Sequence, residues 1–159
     1  MSSRQPRGIR NYNPGNLERN GTRWQGMALN QSADSRFIVF SHPVWGIRAI
    51  ARTLITYQDV RRARDGSRID SVREIIERWA PAHENDTSAY AKAVAKSLGI
   101  GADDETVDVY DYATSTALVK AIVRHENGQG PLPGGNWYGD ALIAEGLALA
   151  GILEGVRHG

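Results

Sequence analysis

A glutamate near the end of an apolar helical segment is the residue best placed to do chemistry in this sequence. Residues 121–128 read AIVRHENG, which puts Glu126 after a run of apolar residues and two positions before a glycine. Burial among apolar side chains disfavours the charged form of a carboxyl group, and the negative end of a helix dipole acts in the same direction. A glutamic acid that keeps its proton near neutral pH can act as a general acid. The alternative is that Glu126 is an exposed helix-end residue beside a mobile loop.

A second carboxylate, Glu84, lies in the same tripeptide, His-Glu-Asn, that surrounds Glu126. Most glycosidases use two carboxyl groups, so Glu84 is a candidate partner for Glu126. Asp86 or Thr87 can instead cap the helix that follows, and Trp79 can belong to the core. Other chemistries have less support, because the chain has no cysteine and its four histidines show no metal-ligand spacing. We expect neither a metal nor another cofactor.

The elements that must position these residues are mainly helices. Apolar spacing predicts five of them, beginning near residues 41, 71, 86, 113 and 138 and ending near 61, 81, 99, 126 and 154. Residues 36–40 (RFIVF) read as a short strand that pairs with residues 24–26 (WQG) in an irregular hairpin. Asn, Pro and Gly in residues 11–17 predict a tight loop. The expected fold is mainly α (α+β), with an N-terminal arm (residues 1–10) and one domain (residues 11–157).

Composition and charge limit the classes of binding partner that suit this chain. A chain of 159 residues with 41% hydrophobic residues suits one domain with one core. The formal net charge of +1 conceals an asymmetry, since residues 1–80 carry a net +7 and residues 81–159 a net −6. The basic half suits an anionic polymer such as nucleic acid, phospholipid or cell-wall glycan, or the halves are complementary solvated faces. The arginines are scattered through amphipathic helices without a DNA-reading motif, so no nucleic-acid partner is expected.

Several motifs, in this order, resemble those of phage and prophage proteins known as virion structural proteins or as peptidoglycan-degrading, lysozyme-like enzymes. They are RGIRNYNPGNL (7–17), WQG (24–26), RFIVF (36–40), GIRA (46–49), RWAP (78–81), ENDT (84–87) and RHENG (124–128). In lysozyme-like lytic transglycosylases, a helix ends at the catalytic glutamate in a Glu-Ser-Gly-like turn. An Asn-rich loop, a short β region and a helix follow it. Here similar pieces stand in rotated order, so the resemblance implies a circularly permuted lysozyme-like fold with Glu126 as the acid.

The resemblance implies cleavage of the β-1,4 bond between N-acetylmuramic acid and N-acetylglucosamine in peptidoglycan. The catalytic candidates are Glu126 and Glu84; Asn127 stands where those enzymes usually have Ser. The enzyme is a lytic transglycosylase if no second carboxylate lies across the cleft, and a muramidase that uses water if Glu84 or Asp86 does. Amide, phenol and aromatic groups suit sugars, which makes substrate-binding candidates of Asn11, Tyr12, Asn13, Asn16, His125, Asn127, Trp137 and Tyr138. The loop asparagines can equally hold their own loop together. The main alternative function is a non-catalytic virion or tail component that binds the cell wall.

No signal peptide or membrane segment is visible in the sequence. The first eight residues are polar and basic, and the most apolar stretch, residues 141–153, is short and interrupted by Glu145. We therefore expect synthesis in the cytoplasm of a bacterial host and no integral membrane contact. The protein would reach the wall through a holin pore or as part of a virion. The sequence indicates no oligomeric state.

Overall fold

The computed structural model describes residues 5–80 and 86–155, and these residues are mainly helical, as expected. The six α-helices in these ranges are α1 (Arg7–Arg10), α2 (Pro43–Val60), α3 (Val72–Trp79), α4 (Thr87–Leu98), α5 (Tyr112–Asn127) and α6 (Asp140–Leu149). A short 3-10 turn (Pro133–Gly135) lies between α5 and α6. Within the described ranges, no helix combines the length and the apolar character needed to cross a membrane.

Capping residues in the sequence set the ends of several helices. The Ser71 side chain accepts a hydrogen bond from the Glu74 backbone N–H, and the Ser71 backbone N–H donates to the Glu74 carboxylate, a capping box that starts α3. Asp86 caps α4, which ends at Gly99 in the left-handed conformation. Asp111 caps α5 through the Thr114 backbone N–H. The predicted positions of these three helices are confirmed to within one or two residues.

Two segments at the ends of the described chain differ from expectation. Residues 7–10, expected to belong to an arm, form the short helix α1, whose Gly8 and Ile9 are buried. The last helix, expected to run to about residue 154, ends at Leu149. Gly151 follows with a φ of 96°, and a left-handed residue at this place stops a helix.

The predicted hairpin is not present as regular strands within the described ranges. Residues 36–40 instead make isolated antiparallel bridges, Glu18 with Phe37 and Met27 with Phe40. Side-chain amides take backbone groups that a partner strand would otherwise use. Asn13 donates to the Ile38 carbonyl (2.9 Å), and Gln31 both accepts from the Val39 N–H (2.8 Å) and donates to its carbonyl (2.7 Å). The extended segment is therefore held both by these side chains and by backbone hydrogen bonds to several separate segments, such as the Ile38 N–H to the Leu17 carbonyl (3.0 Å).

The main core lies among α2 to α6, and a smaller cluster lies under residues 36–40. In the main core α2 packs against α6, α3 against α4, and α4 against α5. Leu54, Ile122 and Ile143 are almost completely buried there. The smaller cluster contains Ile38 and Phe40 packed against Ala49 of α2. The packing of α4 on α5 and of the N-terminal loop beside them brings the candidate residues together.

Candidate active site

The Glu126 carboxylate lies in the last turn of α5 and is half-buried. The Tyr90 hydroxyl donates a hydrogen bond to Glu126 Oε2 (3.2 Å), and Asn16 Nδ2 donates to Oε1 (3.3 Å). These two donors come from α4 and from the N-terminal loop, which are far from Glu126 in sequence. The carboxylate is therefore held from two sides, and its position depends on the packing of three separate segments.

Tyr90 is a fully buried residue of α4 whose hydroxyl reaches Glu126. Burial raises the pKa of the Tyr90 hydroxyl well above its usual range, and the nearby Glu126 carboxylate acts in the same direction. The hydroxyl therefore keeps its proton and remains a donor. The ring of Tyr90 stacks on that of His125, with the two centroids 3.4 Å apart, and partial burial lowers the pKa of His125.

The loop of residues 11–17 carries Asn16 to the carboxylate. Asn16 has a φ of 52°, in the left-handed region that asparagine tolerates better than most residues. The loop is closed by Asn13, whose backbone N–H donates to the Gly8 carbonyl (2.8 Å) and whose Nδ2 donates to the Leu17 carbonyl (2.9 Å). Asn127 fastens the loop to α5 by donating to the Pro14 carbonyl (2.8 Å).

Gly8 allows the loop and α5 to come together. A Cβ added at this position would lie 2.6 Å from Asn127 Oδ1, 2.7 Å from Asn16 Oδ1 and 2.8 Å from the Asn13 carbonyl oxygen. The two amide oxygens are buried and have no hydrogen-bond partner among the described residues, because they face the Gly8 backbone. Only glycine leaves room for this arrangement.

A second set of contacts anchors the same loop to the extended segment. The buried Asp34 carboxylate accepts hydrogen bonds from Arg7 Nε (2.6 Å), Arg7 Nη2 (2.7 Å) and Asn11 Nδ2 (2.8 Å). The backbone N–H groups of Arg36 and Phe37 donate to it as well. The Arg7 guanidinium is the main cause that holds the pKa of Asp34 well below its usual range.

Glu126 opens into a cleft of about 340 Å³. The cleft is lined by charged, aromatic and backbone groups, namely Gly15, Asn16, Leu17, Glu18, Arg36, Phe37, Tyr57, Arg78, Trp79, Ala80 and Glu126. Glu18 is ion-paired with Arg36 at this wall. Trp79 packs edge-on against Tyr57, with the two ring centroids 6.4 Å apart. The cleft thus combines a carboxyl group with aromatic and positively charged side chains. This combination suits acid–base chemistry on a bound polar ligand.

The structure brings some of the sequence-predicted site residues to the cleft and gives others different places. Glu126 and Asn16 line it, whereas Asn11, Asn13 and Asn127 are buried and hydrogen-bonded within the scaffold. The other four substrate-binding candidates do not line the cleft. Tyr12 is exposed, and His125 stacks on Tyr90. Trp137 and Tyr138 are half-buried elsewhere. Trp137 Nε1 donates to the Gly128 carbonyl (2.8 Å), and burial raises the pKa of Tyr138 to about 12. Glu84 lies outside the described residues.

Sequence reasoning missed several residues of the cleft. Glu18 and Arg36 stand on the extended segments, while Tyr57 and Arg78 stand on helices α2 and α3. Asp86, weighed as a cap, does cap α4 through the Ala89 N–H (3.0 Å). Periodicity gave no sign that Tyr90, on the buried face of α4, would reach Glu126. In the described part of the chain, no cluster of three or more acidic or histidine side chains is placed to bind a metal ion.

Comparison with known proteins places the chain among phage proteins. "Protein P5" of Pseudoalteromonas phage PM2 is 38% identical to it over 128 residues. The match spans 79% of this chain and 73% of the phage protein. No known family profile matches the chain. The expected relation to phage proteins is thereby confirmed.

Proposed function

The chain belongs to the family of Protein P5 of Pseudoalteromonas phage PM2, and we propose that it is a peptidoglycan-degrading glycosidase with Glu126 as its general acid. The observation that carries this proposal is the Glu126 carboxyl group in a cleft, positioned by Tyr90 and Asn16 and flanked by the Trp79 ring. The bond cleaved is the β-1,4 bond between N-acetylmuramic acid and N-acetylglucosamine.

In this mechanism the protonated Glu126 donates its proton to the glycosidic oxygen as the bond to the sugar breaks. Tyr90 donates to one carboxyl oxygen and Asn16 to the other, which limits rotation of the carboxyl group. Trp79 and Tyr57 also line the cleft, and aromatic side chains of this kind suit contact with a sugar ring. Asn16 also places an amide at the cleft, which suits the hydroxyl and N-acetyl groups of the glycan.

The second half of the reaction has two routes. The 6-hydroxyl of the muramic acid residue can attack the anomeric carbon of that same residue and give an anhydro product, as in lytic transglycosylases. Water can instead be used if a second carboxylate assists, and Glu18 is a carboxylate that lines the same cleft. Glu18 is ion-paired with Arg36 on the wall of the cleft. Glu84 remains the candidate that the sequence itself suggests.

The proposal includes a lysozyme-like fold in circularly permuted order. The Asn-rich loop precedes Glu126 by about 110 residues in sequence, yet Asn16 hydrogen-bonds to it. Such a contact is expected if the pieces of a lysozyme-like site are kept while their order along the chain is rotated. Circular permutation is tolerated where chain ends lie at the surface.

The test uses purified peptidoglycan, with released products identified by mass spectrometry. We expect the wild-type protein to release muropeptides and the Glu126→Gln variant to release at least 100-fold less, since removal of a general acid costs about 10²–10⁴-fold. Glu145→Gln is the matched control, because Glu145 is exposed on α6 and lies outside the cleft. Equal activity of the Glu126→Gln variant would exclude Glu126 as the acid.

The products decide between the two routes. Anhydro-muropeptides identify a lytic transglycosylase, in which Glu18→Gln lowers activity only modestly. Reducing ends identify a hydrolase, and Glu18→Gln then abolishes activity if Glu18 is the second group. Binding of peptidoglycan with no release by the wild-type protein would favour a wall-binding virion component instead. In either role the protein acts on the cell wall, reaching it through a holin pore or within a virion.

A further inference from the structure

Arg78 lies at the boundary between the cleft and a second depression. This second depression, of about 450 Å³, is lined by Arg62, Ala63, Arg64, Glu74, Glu77 and Arg78. We call it the arginine depression. Because Arg78 lines both spaces, the arginine depression adjoins the cleft at this side chain.

The turn beside the arginine depression presents unpaired positive charge. Residues 61–68 contain four arginines and one aspartate. The Asp65 carboxylate accepts hydrogen bonds from the Ser67 hydroxyl (2.5 Å) and the Ser67 backbone N–H (3.0 Å) in the same turn. Arg62 and Arg64 are exposed, and neither side chain forms an ion pair with the described residues. Their guanidinium groups are therefore available to an anionic ligand.

The two acidic residues of the arginine depression differ in their contacts. Glu74 is used in the capping box of α3, where it accepts from the Ser71 N–H (3.1 Å) and hydroxyl (3.0 Å). Glu77 is exposed at the surface of the same helix. The arginine depression thus offers three guanidinium groups and an available carboxylate, which suits a ligand with several carboxylates and one ammonium group.

We propose that the arginine depression binds the peptide branch of the glycan that the cleft cleaves, an inference that rests on the proposed function. The peptide of peptidoglycan is attached to muramic acid, next to the bond that Glu126 would protonate. It bears carboxylates and, at a diamino acid, an ammonium group. Arg78, whose guanidinium lies over the Tyr57 ring at 5.6 Å, stands where the branch leaves the cleft.

The experiment compares two soluble disaccharide fragments, one with the peptide branch and one without it, by isothermal titration calorimetry. The variant is Arg62→Gln/Arg64→Gln. The control, Arg10→Gln/Arg23→Gln, removes the same charge from two exposed arginines that line neither the cleft nor the arginine depression. We expect the variant to weaken binding of the peptide-bearing fragment about threefold to tenfold, as for two partly exposed ion pairs. The control should stay within about twofold, and the bare disaccharide should bind all three proteins alike.

Three results would overturn the proposal. The first is an equal loss of affinity for both fragments, and the second is an equal loss in the control, which would indicate only a general charge effect. The third is loss of binding to a DNA duplex with unchanged binding of the peptide-bearing fragment. Failure of the proposed function is separate, because inactive wild-type protein can still show the peptide-dependent affinity. Unchanged unfolding midpoints show that all three proteins are folded.

Discussion

Replacement of Gly8 by alanine tests whether the site depends on the close approach of the loop to α5. Gly8 lies within α1, where alanine is intrinsically better than glycine by about 1 kcal/mol. The added methyl group, however, would lie 2.6–2.8 Å from three oxygen atoms. Because carbon and oxygen normally stay about 3.3 Å or more apart, the oxygens must move by roughly 0.5 Å or more. Two of them belong to Asn16 and Asn127.

Overpacking of this kind costs about 1–3 kcal/mol, so the helix preference offsets only part of it. We expect a net loss of about 0–2 kcal/mol in unfolding free energy, or a Tm lower by at most about 8 °C. We expect the Gly8→Ala variant to lose proportionally more activity than stability. Displacement of Asn16 disturbs its hydrogen bond to Glu126, and a misplacement of about 1 Å can cost 100-fold in rate. The assay is release of soluble fragments from peptidoglycan, with Tm measured on the same samples.

Gly139→Ala is the matched control. A Cβ at Gly139 has no atom within 4 Å, and the residue has an ordinary φ of −74°. We expect activity within about twofold of wild type and a stability loss below about 1 kcal/mol. If Gly8→Ala is as active as this control and more stable than wild type, the oxygens around Gly8 do not position the carboxyl group, and the reasoning is refuted.

Three further substitutions test the scaffold. Tyr90→Phe should lower turnover about tenfold, since Glu126 loses one of its hydrogen-bond donors; unchanged turnover would remove Tyr90 from the site. Asp34→Asn should lower Tm by about 5 °C at pH 7, because the carboxylate loses the Arg7 ion pair. The depressed pKa of Asp34 stabilises the fold above about pH 4 and ceases to do so as the pH falls through the folded-state value, so the two melting curves should converge in acid. Gln58→Met should cost about 3–5 kcal/mol in a urea titration, because three buried backbone groups lose their partner; a loss below 1 kcal/mol would contradict this.

The helices were predictable because local residues determine them. Asp86 and Gly99 mark the ends of α4, and the position of Glu126 at the end of α5 follows from the apolar run before it. Local side-chain chemistry is sufficient there, since a cap acts on its own first or last turn. The extended segment 36–40 has strand-forming residues, but its partners are amide side chains and short backbone bridges from several segments rather than one strand, which propensity does not reveal.

The composition of the cleft was only partly predictable. A helical pattern shows that Tyr90 faces inward, but not that its hydroxyl ends at Glu126. Asn11 and Asn13 have the residue type of sugar binders, and yet the structure uses them inside the scaffold. Residue type indicates which bonds a side chain can make, whereas tertiary packing decides with whom it makes them. No local sequence pattern marked Glu18 as a cleft residue, because the wall in which it lies is formed by segments that are distant in sequence.

The bonds from Asn16 to Glu126 and from Asn127 to the Pro14 carbonyl join positions 110 and 113 residues apart in sequence. After the N-terminal loop has been synthesised, the ribosome must add more than 100 residues before α5 can contact it. Contacts of such large sequence separation also form slowly, because a long stretch of chain must be ordered between them. The Glu126 carboxyl group thus gains its hydrogen bond from Asn16 only after α5 has been synthesised. A nascent chain therefore carries no assembled cleft until the residues of α5 have left the ribosome.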